Sequence, residues 1–475
     1  MTLILILATV GVVLISIAIG LFVRRHLADF DSYTSFRSRV GVLGITASMV
    51  GNIVGGGVFF AVSSMGYDAG IAPLSILLSY MIGFALLAWF AASIRSIVQR
   101  HDVNEMYEVL RVRLGAEPFS HKYIFLLCAM TLCVYFFSLA GQFLVLSTFL
   151  KFFFPESTAS VVVLSMVMVA ILTFVYAAWG GLPKDIFTDI FQTCVIFIAV
   201  VAGIITSFLH APSMNTSQLP PGTFNGLRYG VVFPIAVILF FSPTYLARFD
   251  VWQRLIASKS TKVFRVSLLI SIPFICAAYG LFVFLGIYAR ANGPGDSIRD
   301  TAVLWSIKDI MPPPVFLLMI LGLYAAVMST ADTLLNVSTI SSWKLLSMIR
   351  PSYAVRMKNI KSVRKISVLV GILACMLIAS APDIVELMMG AFSSIVIFSP
   401  SILYILCSKQ PSAKVSFVSA APSYLLFWGL YLAMPKLRLY AFIPCAIISI
   451  VVLIVGMLVV WVGRRSNKGE RGVTS

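Results

Sequence analysis

Apolar runs of about 20 residues, the length a helix needs to cross a hydrocarbon core of ~30 Å, recur along the whole chain. They predict thirteen spans, near 2–23, 40–64, 73–94, 123–149, 158–178, 186–208, 229–247, 266–289, 313–340, 366–381, 384–407, 415–434 and 439–462. The longest polar stretches between them, "RSIVQRHDVNEMYEVLRVRLGAEPFSHK" and "HAPSMNTSQLPPGTFNGLR", are loop-sized, and the tail "RRSNKGERGVTS" reads as disordered. The pattern predicts an all-α polytopic membrane protein with no soluble domain.

Composition agrees with this pattern. The 475 residues are 60% hydrophobic and 11% charged, with a mean hydropathy of +1.00, too apolar to wrap a soluble core. The net charge of +17 would suit nucleic acid only if it were gathered on a water-facing domain, so no nucleic-acid partner is expected. The first span has no basic residue before it and is followed by Arg24 and Arg25, which reads as an uncleaved anchor with its amino end outside. Alternating from there, all but seven of the 35 Lys and Arg residues fall in cytoplasmic loops; the exceptions are Lys151, Arg228, Arg290, Arg299, Lys308, Lys436 and Arg438. The positive charge thus sets orientation, with the carboxyl end inside.

Enzymatic chemistry finds little support. His26, His101, His121 and His210 lie in loops or at span ends, and no G-x-x-x-x-G-K-[ST] phosphate loop is present. Cys128, Cys133, Cys194, Cys276, Cys375, Cys407 and Cys445 sit within or at the ends of apolar segments without metal-ligand spacing. No catalytic residue and no organic cofactor is expected, which leaves passage of a solute across the bilayer.

Three stretches give that passage a chemistry. "GNIVGGGVFFAV", residues 51–62, breaks the second span with four glycines about eleven residues in, roughly 16 Å deep at 1.5 Å per residue. Backbone freed at that depth is tolerated only where it is buried in protein or lines a cavity. There its carbonyls can coordinate a cation, and the amino end of the next half-helix can attract an anionic group; close helix packing through small residues is the alternative reading. In "LGLYAAVMSTADTLLN", 321–336, Ser329, Asp332 and Thr333 stand at i, i+3 and i+4 with Thr330 beside them, a face of hard oxygens carrying an intramembrane carboxylate. In "WGGLPKDIFTDIFQTC", 179–194, Asp189 lies about 6 Å from the inner edge of its span, at a depth similar to Asp332. The two carboxylates either share a cytoplasm-proximal cavity or, for Asp185 and Asp189, sit in the interfacial zone.

With the broken helix ending in "MGYDAG", and with "YAAWGGLPKDIFTDIFQ", "RFDVWQRLIASKS" and "LYAAVMSTADTLL" following in order, the chain from about 28 to 410 resembles the sodium:solute symporter family. That resemblance implies two inverted five-helix repeats (a LeuT-like core) over 40–208 and 229–407. The extra helices are then 2–23 and a pair within 415–462, and 463–475 is a cytoplasmic tail of a single transporter domain. Pro243 in "FFSPTY" interrupts the seventh span, the counterpart of the first broken helix. Carried over by position, a sodium site takes the carbonyls of Gly51, Val54 and Ala326 and the hydroxyls of Ser329 and Thr330. A second sodium set, found in only some members, takes Asp189, Ser329, Asp332 and Thr333. Sodium is the implied coupling ion.

The substrate is less sharply marked. Proline-type members carry an aspartate where this chain has Ile53, and the sugar-type glutamate and lysine have no counterpart in spans 73–94 and 266–289. With no Arg or Lys expected inside the spans, a carboxylate-bearing solute would rely on the amide ends around Gly55, Gly56 and Gly57. Phe59, Phe60, Gln142, Phe241, Tyr245, Ser393 and Ser394 are the nearby aromatic and polar candidates. The expected function is sodium-coupled symport of a small organic acid, amino acid or other zwitterion by alternating access. A proton-coupled permease using Asp189 or Asp332, and a solute-sensing receptor, are the competing classes. A monomeric unit in the plasma (inner) membrane is expected.

Overall fold

A computed structural model describes residues 2–24, 34–153, 181–210, 214–351, 359–380, 384–434, 438 and 440–471. The expected span 158–178 and the residues beyond 471 lie outside them; the tail expected to be disordered from 464 is instead helical as far as Arg471. The described chain is almost wholly helical, with a single isolated backbone bridge between Val40 and Ser258.

The helices, in order, begin with α1 (Thr2–Arg24), α2 (Val42–Ile53), α3 (Gly56–Ala69), α4 (Ile76–His101), α5 (Met106–Leu114) and α6 (Pro118–Phe153). They continue with α7 (Gly181–His210), α8 (Val232–Ala236), α9 (Phe249–Ala257), α10 (Thr261–Asn292), α11 (Ala302–Ile310) and α12 (Pro313–Ile349). The last are α13 (Ile360–Ser380), α14 (Ile384–Cys407), α15 (Ala413–Ala433) and α16 (Phe442–Arg471). Eight described helices are long and apolar enough to cross a membrane, and two bent pairs raise this to ten. The expected spans 2–23 and 366–381 fall on α1 and α13.

The bent pairs are the broken spans. α2 and α3 meet at 51° across Val54 and Gly55, where helical bonding stops with the Val54 N–H donated to Val50 O at 2.7 Å. Val54 has left helical geometry (φ −86°, ψ 58°). The second pair runs from Val232 to Ala257 and also bends by 51°. The interruption expected at 240–245 is present, but the bend itself lies a few residues further on. A π-helical turn at Val237–Phe241 and a 3-10 turn at Ser242–Leu246 absorb the missing N–H of Pro243, and the chain bends afterwards, before Phe249. The stretch after the expected span 229–247 is therefore α9, the second half of this bent pair, and every residue of it is buried.

The two broken spans are tied together at one end. Val40 N–H donates to Ala257 O at 2.9 Å and Lys259 N–H donates to Val40 O at 2.8 Å, so the start of one is clamped to the finish of the other. Around them pack α7, α10 and α12. Gly66 and Gly286 let the backbones of α3 and α10 touch: a Cβ on Gly66 would come 2.5 Å from Val283 O, and one on Gly286 would come 2.8 Å from Tyr67 N. The faces turned away from this core expose large apolar side chains, Trp89, Phe208, Leu425, Leu458 and Val459 among them, as a lipid-facing surface does. Among the described residues, ion pairs outside the core include Arg37 with Asp102 and Arg299 with Asp68.

Candidate functional site

The unwound turn of the first broken span faces the middle of α12. Both Ser329 and Thr330 are buried there, one helical turn beyond Ala326 and on its face. Thr330 Oγ1 donates to Gly51 O at 3.4 Å. A Cβ on Gly51 would lie 2.5 Å from Ser329 Oγ, and one on Gly55 would lie 3.0 Å from the Thr330 Cβ. Only glycine permits this approach, so the glycines of the sequence motif close the gap between the broken backbone and the hydroxyls. Gly51, Gly55, Ser329 and Thr330 thus come together where α2, α3 and α12 meet, with Val54 at the break itself and Ala326 one turn earlier on α12.

Asp189 extends this oxygen cluster. It is fully buried on α7, accepting Ser329 Oγ at 2.5 Å on Oδ1 and Ser48 Oγ at 2.5 Å on Oδ2. Ser329 therefore bridges the broken-helix oxygens and a carboxylate. Asp185 and Asp189 are enclosed by protein, with exposures of 1% and 0%.

The expectation of spans free of Arg and Lys is overturned. Arg254 and Lys184 are both fully buried. Arg254 Nη2 lies 3.8 Å from Asp189 Oδ2 and donates to Thr333 Oγ1 at 2.7 Å, while its Nε donates to Ser48 Oγ at 3.0 Å. Lys184 Nζ donates to Asp332 Oδ2 at 2.7 Å and lies 3.5 Å from Asp185 Oδ1. Asn336 Nδ2 donates to Asp185 Oδ2 at 3.0 Å. A buried ion is tolerated only when paired and hydrogen-bonded; hydropathy, which scores each residue alone, places such residues in loops. Of the second oxygen set, the structure joins Ser329 to Asp189 but gives Asp332 to Lys184 and Thr333 to Arg254.

A second buried carboxylate network was missed by sequence reasoning. Asp250, at the start of α9, receives Asn52 Nδ2, the Tyr135 hydroxyl and the Arg248 guanidinium, the last at 2.8 Å. It connects α2, α6 and the second broken span. The Asp250 to Arg254 spacing of four within "RFDVWQR" places both on one helical face, which was the available signal.

The substrate candidates spread around the break. Gln142 on α6 is 4% exposed; a Cβ on Gly56 would lie 3.1 Å from its Oε1 and one on Gly57 would lie 3.7 Å from its Nε2. Its Oε1 has no hydrogen-bond partner among the described residues. Phe59 is fully buried, its ring centroid 4.0 Å from that of Phe282, and Phe60 is buried beside it in sequence. Tyr245 joins Tyr80 and Phe84 in an aromatic cluster at centroid distances of 5.4 and 5.6 Å. Phe241 packs on Phe442 of α16 at 5.5 Å. Ser393 is half-buried on α14, next to buried Ser394, which donates to Ala391 O at 2.6 Å. Gln142 is the candidate placed directly against the glycine turn.

Comparison with known proteins bears on this arrangement. The model of the Sodium:solute symporter family matches residues 33–410. A Drosophila melanogaster protein described as a sodium-dependent multivitamin transporter is 25% identical over 370 residues, 72% of this chain. The chain spans 58% of that relative's length. Among solved structures, a substrate-bound, outward-open Na+-coupled sialic acid symporter aligns over 95% of this chain and 96% of its own, with TM-score 0.72 and 16% identity. A closed nucleobase-cation-symport-1 family transporter aligns over 91% and 96%, with TM-score 0.54 and 13% identity.

Proposed function

The chain belongs to the sodium:solute symporter family, and on that premise we propose that it is a secondary carrier coupling sodium to a small organic solute by alternating access. One observation carries this reading. The Ser329 and Thr330 hydroxyls meet the unwound carbonyl side of Gly51, with the Asp189 carboxylate behind Ser329. Hydroxyl and carbonyl oxygens converging at a helix break suit a hard monovalent cation. The ion joins the first broken helix to α12, and a joint made by an ion is reversible: filled, it favours one arrangement of the two elements; empty, it releases them.

The amide ends at Gly55, Gly56 and Gly57 and the uncommitted Gln142 oxygen form the solute-facing part of the reading. A dipole of that sign favours a carboxylate, so the substrate class is a small organic acid, amino acid or other zwitterion. The neighbour that binds sialic acid, itself an acid, and the relative described as handling vitamins are in line with that class. The buried Arg254 and Lys184 are committed to Asp189 and Asp332, so they do not replace those amides. Phe59, Phe241, Tyr245 and Ser393 shape the walls.

In this account 40–208 and 229–407 are the inverted five-helix repeats, with 2–23 and the helices of 415–462 outside them and 463–475 a tail. The amino end faces outward, the carboxyl end lies in the cytoplasm, and the protein works as a monomer in the plasma (inner) membrane without an organic cofactor. The direct test is uptake by reconstituted proteoliposomes of a panel of organic acids, amino acids and sugars under an inward sodium gradient. The reading predicts sodium-dependent accumulation of a carboxylate-bearing solute. Sugar uptake alone, or solute uptake driven by a proton gradient and indifferent to sodium, contradicts it.

A further inference from the structure

The buried charge around Asp189 can be counted. Among the described residues three fully buried carboxylates, Asp185, Asp189 and Asp332, face two fully buried cations, Lys184 and Arg254. The nearby Arg248 and Asp250 balance each other. With all three carboxylates ionised, the described residues of the cluster carry one more negative charge than positive, in a medium where an unpaired ion is expensive.

One monovalent cation at the Gly51, Ser329 and Thr330 oxygens would neutralise it, because Ser329 Oγ is bonded directly to Asp189. Two would leave it positive by the same margin. The oxygens a second cation needs are also engaged: Asp332 Oδ2 accepts the Lys184 ammonium at 2.7 Å, and Thr333 Oγ1 accepts the Arg254 guanidinium at 2.7 Å.

Resting on the sodium reading above, we propose that Lys184 is a tethered cation standing in for a second sodium ion, so that the carrier binds a single sodium per cycle. The ammonium of Lys184 does locally what a second ion would do, holding α7 to α12 through Asp332. Because it is covalently attached it adds no dependence on sodium concentration. Asp332 Oδ1 and Asn336 Oδ1, buried and without hydrogen-bond partners among the described residues, are oxygens that a mobile cation could use once the ammonium is gone.

The test is equilibrium binding of radioactive sodium to the purified full chain, with four variants compared at constant ionic strength in choline. Wild type and Lys184→Arg are expected to bind one sodium per chain. Lys184→Met adds a negative charge and opens the Asp332 oxygens, so its stoichiometry should rise to two. Asp332→Asn lowers the negative charge of the cluster by one and should weaken the single site by about tenfold or more. The double variant Lys184→Met with Asp332→Asn restores the original charge and should return to one sodium at near wild-type affinity. Monodisperse elution and a cooperative melt identify folded variants. If Lys184→Met does not fold, wild type, Asp332→Asn and the double variant still decide the matter. Two sodium ions per wild-type chain overturn the inference while leaving the sodium carrier intact. One sodium in every variant, with affinity unmoved by Asp332→Asn, overturns the charge argument. No saturable binding in any form overturns the sodium reading itself and this inference with it.

Discussion

Replacing Arg254 by methionine keeps an unbranched stem and removes the guanidinium and its charge. In the structure the guanidinium donates to Ser48 Oγ at 3.0 Å, Asp250 O at 3.1 Å and Thr333 Oγ1 at 2.7 Å, and stands 3.8 Å from Asp189 Oδ2, with both side chains wholly inaccessible. Arg254→Met therefore strands the Asp189 carboxylate. Breaking a buried pair by removing one partner costs about 3–5 kcal/mol, most of it the penalty of the charge left behind. The double variant Arg254→Met with Asp189→Asn removes both charges. The asparagine can still bond both serine hydroxyls, accepting from one and donating to the other. Its cost should fall below about 2 kcal/mol, in line with the near-neutral outcome of exchanging a whole buried pair for uncharged groups. The assay is unfolding in detergent with choline as the only added salt cation, so that bound sodium does not compensate the stranded charge. A double variant at least as unstable as Arg254→Met refutes the reasoning and makes the arginine a packing residue.

Two further predictions use the same geometry. Gly55→Ala would push a methyl against Thr330, with its Cβ and Cγ2 3.0 and 3.1 Å from the new atom, and rotation about χ1 does not move the Thr330 Cβ itself. The expected result is a loss of about 1–3 kcal/mol with the sodium-dependent shift in melting temperature abolished; an unchanged sodium response would separate Gly55 from the ion site. Gln142→Met removes an amide whose Oε1 bonds nothing among the described residues, so stability should change by less than about 1.5 kcal/mol. KM for the transported solute should rise by tenfold or so if the amide positions it, as removal of a hydrogen bond worth ~1.5 kcal/mol implies, and an unchanged KM in uptake assays would remove Gln142 from the solute site.

The first break was legible because its cause is local. Four glycines in a run of seven weaken a helix wherever they stand, and the chain does part at Val54 and Gly55. The second was only half legible: Pro243 announced a disturbance, but π-helical and 3-10 turns took up the missing donor and moved the bend beyond Leu246. The buried cations were invisible for a different reason. Hydropathy scores Lys184 and Arg254 as residues that belong in water, and what keeps them inside are carboxylates and hydroxyls far away in sequence, such as Asp332 and Thr333. The spacing of Ser329, Asp332 and Thr333 correctly gave one polar helix face, but not which oxygens would be engaged by protein cations. Asp250 sat within a motif already singled out, yet its role depends on Asn52 and Tyr135, which pattern reading had no reason to join to it.

The most direct measurement is the melting temperature of purified protein across a sodium chloride titration balanced with choline chloride, for wild type and for Ser329→Ala with Thr330→Ala. An ion bound only by the folded chain stabilises it by RT ln(1 + [Na+]/Kd), about 2.7 kcal/mol at one hundred times Kd. The account predicts a saturable rise for wild type and a flat response for the double variant. A flat wild-type curve, or a variant that responds as wild type does, contradicts the placement of sodium between the broken helix and α12.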